Sequence, residues 1–64
     1  MTPEEILEKA KKLEADAIKV YQEMKKDADP ATKELLDFLI TQEKDHLKMI
    51  NDRLKAVRIL SEKG

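Results

Sequence analysis

The chain contains one histidine and no cysteine. Three places before that histidine stands a glutamate, in the run Glu43-Lys44-Asp45-His46. On a helix, residues three apart share a face, so a carboxylate and an imidazole at this spacing can reach one point. An oxygen and a ring nitrogen aimed at one point suit iron, manganese or zinc, and the residue types do not choose among these metals. With eight glutamates in the chain, such a pair arises by chance about one time in eight, so alone it is weak. A lone histidine on an amphipathic helix is more often packed or partly exposed than a ligand.

A third residue strengthens the case. Plotted at about 100° per residue, Glu14 falls within an apolar stripe, in line with Leu7 and Tyr21. Alone it would more often be a stripe-edge residue whose carboxylate reaches water. Glu43 and His46 fall likewise within an apolar arc, among Leu36, Leu39, Leu47 and Ile50. It is the joint placement of all three that points to a metal site. Tyr21, one heptad beyond Glu14, has two readings: a hydroxyl that hydrogen-bonds a ligating carboxylate, or core packing with a wet hydroxyl.

These residues need helices to hold them. Thr2-Pro3-Glu4-Glu5 reads as a helix start, with Thr2 as N-cap, Pro3 in the first turn and two glutamates at the positive end of the dipole. The first helix, expected over about 3–27, carries Ile6, Ala10, Leu13, Ala17, Val20 and Met24 at helical spacing, with Leu7 and Tyr21 on the adjoining row. Pro30 biases Asp29 away from helical angles while suiting the first turn of a new helix capped by Asp29, so a turn is expected at 28–30. The second helix, over about 31–62, carries Leu35, Leu36, Leu39, Ile40, Leu47, Ile50, Leu54 and Val57, with Gly64 past its end.

Two amphipathic helices joined so closely fold back antiparallel, as a single all-α hairpin over 1–64. Counting from the turn puts Glu14 level with Glu43 and His46, at about 21–25 Å along each axis. The arc of helix two, from Phe38, Met49 and Leu60 round to Leu47 and Ile40, is wider than one neighbouring helix covers. A two-fold pair of hairpins would complete a four-helix bundle, with larger homo-oligomers permitted by the width of the arc. It would also gather four carboxylates and two imidazoles, enough for two metal ions, one per chain. Met24 and Met49 read as core or interface filler. The lysine and arginine runs read as solvated faces or ion pairs within a helix.

Composition excludes much else. Lacking cysteine, the chain has no disulfide, thiolate metal site or iron–sulfur cluster. Charged residues are 42% of the chain, yet the net charge is −1, so no basic face for nucleic acid is implied. Neither a signal peptide nor a membrane-length apolar run is present, and the expected protein is cytoplasmic, without a membrane partner. Abundant Lys and Glu without Cys or Trp matches hyperthermophile usage, and equally the helix propensity of a short all-helical chain.

The residues resemble the ferritin-like superfamily, specifically its rubrerythrin and encapsulated-ferritin branches, over nearly the whole chain. Glu14-Ala15-Asp16-Ala17-Ile18-Lys19-Val20-Tyr21 resembles the family's Glu-x-x-Ala-x-x-x-Tyr, and Glu43-Lys44-Asp45-His46 its Glu-x-x-His. Asp27-Ala28-Asp29-Pro30 and Lys33-Glu34-Leu35-Leu36 are similar too. The resemblance implies an intersubunit di-iron centre in which Glu14 bridges or caps the metals, Glu43 bridges them, His46 is a terminal ligand and Tyr21 stands behind a ligand. It implies a ferroxidase that oxidises ferrous iron with dioxygen or peroxide. The chain departs from rubrerythrins at Ile40, where a further Glu is frequent, and from encapsulated ferritins at Val20, Leu13 and Asp16. Its final residues, Ile59 to Gly64, do not resemble a cargo-loading peptide for a protein shell. Two alternatives stand beside the ferroxidase: a helical dimerisation module or structural metal site without turnover, and a peroxide reductase fed by an electron-donor partner.

Overall fold

A computed structural model describes residues 1–63. Within them the chain forms two helices and no strand: α1, Pro3–Lys25, and α2, Pro30–Lys63. The position of Gly64 relative to the end of α2 lies outside the described residues.

Local chemistry sets the boundaries. The Glu5 backbone N–H donates to the Thr2 hydroxyl oxygen at 3.1 Å, and the Thr2 N–H donates to the Glu5 carboxylate at 3.2 Å. This reciprocal box satisfies two donors that the first turn leaves free, and a cap of this kind contributes about 1 kcal/mol. α1 stops at Lys25, short of residue 27, because the next three N–H groups bond three residues back instead of four. Lys26 donates to Glu23 at 3.2 Å, Asp27 to Met24 at 3.3 Å and Ala28 to Lys25 at 3.3 Å. The tightened turn leaves Asp29 to start α2. Its carboxylate accepts from the Thr32 hydroxyl and from the Thr32 N–H, and its carbonyl accepts from Lys33 at 2.8 Å. The Thr32 hydroxyl first, and the Thr32 N–H second, hold the Asp29 carboxyl below its ordinary value.

The two helices pack antiparallel along their lengths, giving Cα extents of 52 × 17 × 11 Å. The shortest of these is the thickness of a single helix layer, whereas stable domains pack at least two layers round a core. The core here consists of Leu36, Ile40 and Leu54, exposed by 7%, 4% and 1%. Ion pairs tie the helices at both ends. Arg58 pairs with Glu4 and Glu8 near the start of α1, and Lys25 pairs with Asp37 near the turn. Lys12–Asp16 and Lys26–Glu23 stay within α1. Charges read from the sequence as solvated or intrahelical thus include a register-setting set between helices.

The apolar residues of α1 divide into two rows. Leu7, Ile18 and Tyr21 are half-buried against α2, while Ile6, Leu13, Val20 and Met24 are more than half exposed. α2 divides the same way: Leu36, Ile40 and Leu54 face α1, and Leu35, Phe38, Met49 and Leu60 remain open. Turning each helix by its pitch puts the open rows on one common side of the hairpin. Among the described residues, no helix is long and apolar enough to cross a membrane.

Candidate metal centre

Glu14 stands at the midpoint of α1, and His46 is one of the two central residues of α2. The antiparallel fold therefore makes them level. His46 Nδ1 lies 3.4 Å from Glu14 Oε2 and 3.9 Å from Glu43 Oε2. One donor atom from each of the three residues can be chosen so that all lie within 4.8 Å of one another. Two donors that share an ion at about 2.1 Å cannot stand more than about 4.2 Å apart. Both imidazole–carboxylate spacings fall within that reach.

Burial within the cluster is graded. The Glu43 side chain is 18% exposed, Glu14 25% and His46 50%. Glu14 shares the packed row of Leu7 and Tyr21, and the imidazole is the most exposed member of the cluster. Glu14 Oε2 is buried and makes no hydrogen bond. An anionic oxygen in this state lacks both water and a donor, a condition that costs free energy unless a cation occupies the space beside it. Two carboxylate oxygens and a neutral imidazole form a donor set for a divalent first-row metal, so the residues fit iron, manganese or zinc. Among the described residues, no other group of three or more histidine or acidic side chains converges in this way.

The remaining site positions are less direct. Tyr21 is half-buried two turns from Glu14, and within one hairpin its hydroxyl hydrogen-bonds neither glutamate. Ile40, where rubrerythrins often carry a further Glu, points into the contact with α1 and is 4% exposed. A carboxylate there would lie in the hairpin core. The interhelical clamps Arg58–Glu4, Arg58–Glu8 and Lys25–Asp37 were not singled out from sequence. Counting outward from the level of Glu14 and His46 would have found them, since it brings Glu4 opposite the turn of Arg58 and Lys25 opposite that of Asp37.

The family model described as Rubrerythrin matches residues 5–63. An uncharacterised protein of Archaeoglobus fulgidus is 62% identical over 60 residues, which cover 94% of this chain and 95% of that one. No solved structure matches.

Proposed function

The chain belongs to the rubrerythrin family, and from that premise we propose that it binds iron in a di-iron centre shared by two copies and oxidises ferrous iron there. The observation that carries the reading is the orphaned Glu14 Oε2, held beside Glu43 and His46.

Each residue has a distinct task in this reading. Glu14 and Glu43 supply anionic oxygens that favour a divalent cation, and His46 supplies a neutral nitrogen that completes one chain's share of ligands. Two copies contribute four carboxylates, whose charge two divalent ions balance. The apolar rows exclude water and hold the donors in place, since side chains on rigid helices keep ligand geometry better than loops do. Tyr21 would hydrogen-bond a ligating carboxylate in the paired form. Two ferrous ions held by Glu14, Glu43 and His46 of two copies would supply two electrons, enough with two protons to take one dioxygen to hydrogen peroxide or one hydrogen peroxide to two waters. Among the acceptors, dioxygen is favoured over peroxide by Ile40: its side chain is committed to the hairpin core and adds no further carboxylate to the ligand set.

The test is an anaerobic ferrous titration of metal-free protein, followed by admission of oxygen. Saturation near one iron per chain and oxygen-dependent oxidation are expected, with oxidation lost in Glu43→Ala. Iron bound without turnover would leave a structural metal site, and zinc or manganese binding in strong preference to iron would displace iron from the proposal. Faster oxidation by peroxide than by oxygen would make the protein a peroxide reductase. Absence of any binding would return the three residues to a packing role in a dimerisation module.

A further inference from the structure

Met49 follows His46 by three residues on α2, which puts their Cβ atoms about 5–6 Å apart on one flank of the helix. That flank is the open side of the cluster, since His46 is its most exposed member, at 50%, and Met49 is 67% exposed. Resting on the iron-oxidation reading above, we infer that Met49 is a modification site, whose thioether takes one oxygen atom from hydrogen peroxide formed at the centre or brought to it.

The chain offers such an oxidant few competing targets. It has no cysteine and no tryptophan, so its three thioethers are the most readily oxidised side chains it carries. Met24 is separated from Glu14 by about 15 Å of helix, and Met1 precedes α1 at the end of the hairpin away from the turn. All three are more than half exposed, at 72% for Met1, 67% for Met49 and 53% for Met24, so exposure alone does not single out Met49. Proximity to His46 does. At about 100° per residue, Met49 also stands about 40° farther from the packed row of α2 than Leu35 does. It thus lies at the rim of the open face, where cover by a second copy leaves it within reach of small molecules.

The step balances with hydrogen peroxide as the sole oxidant. The sulfur lone pair attacks one peroxide oxygen, the O–O bond breaks and an S=O bond forms. The second oxygen leaves with both protons as water. Sulfur is oxidised by two electrons and peroxide is reduced by two. Each thioether accepts one oxygen atom, so Met49 is marked once per chain until the sulfoxide is reduced again. The mark replaces a flexible apolar side chain by a polar one, a single turn from the imidazole.

Peptide mass mapping of the full chain after aerobic turnover with excess ferrous iron tests this, with iron oxidation followed in the same sample. The reference is metal-free protein treated with hydrogen peroxide, where sulfoxide should follow exposure and the three methionines should agree within about twofold. During turnover Met49 should exceed Met24 by about tenfold, because an oxidant released beside a group meets it at high effective concentration. Catalase, which removes peroxide that has reached bulk water, should leave that preference in place. A further arm supplies hydrogen peroxide without dioxygen. Preference in the aerobic arm alone identifies peroxide formed at the centre, and preference in the peroxide arm alone identifies peroxide brought to it. Met49→Leu conserves side-chain volume; it should keep the wild-type initial rate of iron oxidation and show no rise of sulfoxide at Met24. Iron oxidation with sulfoxide spread evenly over the three methionines, or with the Met49 signal abolished by catalase in the aerobic arm, overturns the inference and leaves the iron-oxidation reading standing. Absence of iron oxidation overturns both.

Discussion

Leu35 and Leu54 are the same residue type on the same helix, 56% and 1% exposed respectively. Truncating each to alanine should therefore act on different equilibria. Full burial of a leucine contributes about 1.5–3 kcal/mol. More than half of Leu35 is still open in one hairpin, so in the proposed dimer about 1 kcal/mol of that would be realised only when a second copy covers it. Two-fold symmetry removes the group from both copies, for about 2 kcal/mol per dimer, or roughly thirtyfold weaker pairing of the metal-loaded protein. Leu35→Ala should scarcely change the helix content of the monomer. Leu54→Ala removes the best-buried side chain of a three-residue core, at about 2–5 kcal/mol. Set against about 5–15 kcal/mol for ordinary domains, and a chain this short at the low end, that loss should melt much of the hairpin. Sedimentation equilibrium of the loaded proteins and thermal melts followed by circular dichroism separate the two effects. The reasoning fails if Leu35→Ala changes the dimer constant by less than about threefold, or if it lowers the melting midpoint as far as Leu54→Ala does.

Other expectations follow from the same geometry. Chelation should lower the unfolding midpoint, and the midpoint of the loaded form should rise with protein concentration, as seen by calorimetry at two concentrations. Because the folded Asp29 carboxyl lies below its ordinary value of 3.8, the unfolded chain binds more protons in that range. Its contribution is complete above the ordinary value and is lost as pH falls through the folded one. Asp29→Ala should flatten the acid limb of a stability–pH curve, and a limb of unchanged steepness would deny Asp29 this part. Thr2→Ala removes the capping box at a cost of about 1 kcal/mol, measurable by urea titration of the loaded protein. Arg58→Ala, at an exposed set of ion pairs, should cost under about 1 kcal/mol; a much larger loss would mean that the clamp, more than the apolar contact, holds the helices in register.

The helix starts could be read from the sequence because caps are local: Thr2 with Glu5, and Asp29 before Pro30, act over three or four residues. The three site residues stood out for another reason, since polar side chains within an apolar stripe contradict the amphipathic pattern round them. The division of each stripe into a packed and an open row was harder to foresee. Ile6 and Leu7 are adjacent and similarly apolar, and what separates them is the direction in which α2 returns, a property of the folded hairpin. The end of α1 was indistinct likewise. Lys26, Asp27 and Ala28 carry no strong stop signal, and the turn tightens there because Asp29 and Thr32 begin the next helix. The clamp by Arg58 needed the register, which sequence supplies only after the ligands have been set level.

The central position of Glu14 in α1 bears on persistence. Helices open from their ends, and amide exchange there reports small local openings, whereas the middle turns exchange only when the whole structure yields. Eleven residues flank Glu14 on each side within α1, about three turns in either direction. End fraying, even over a full turn, leaves the backbone under the candidate ligands untouched. The donors are thus tied to the slowest-exchanging part of the helix, and their geometry should survive intact up to the point at which the hairpin melts as a unit.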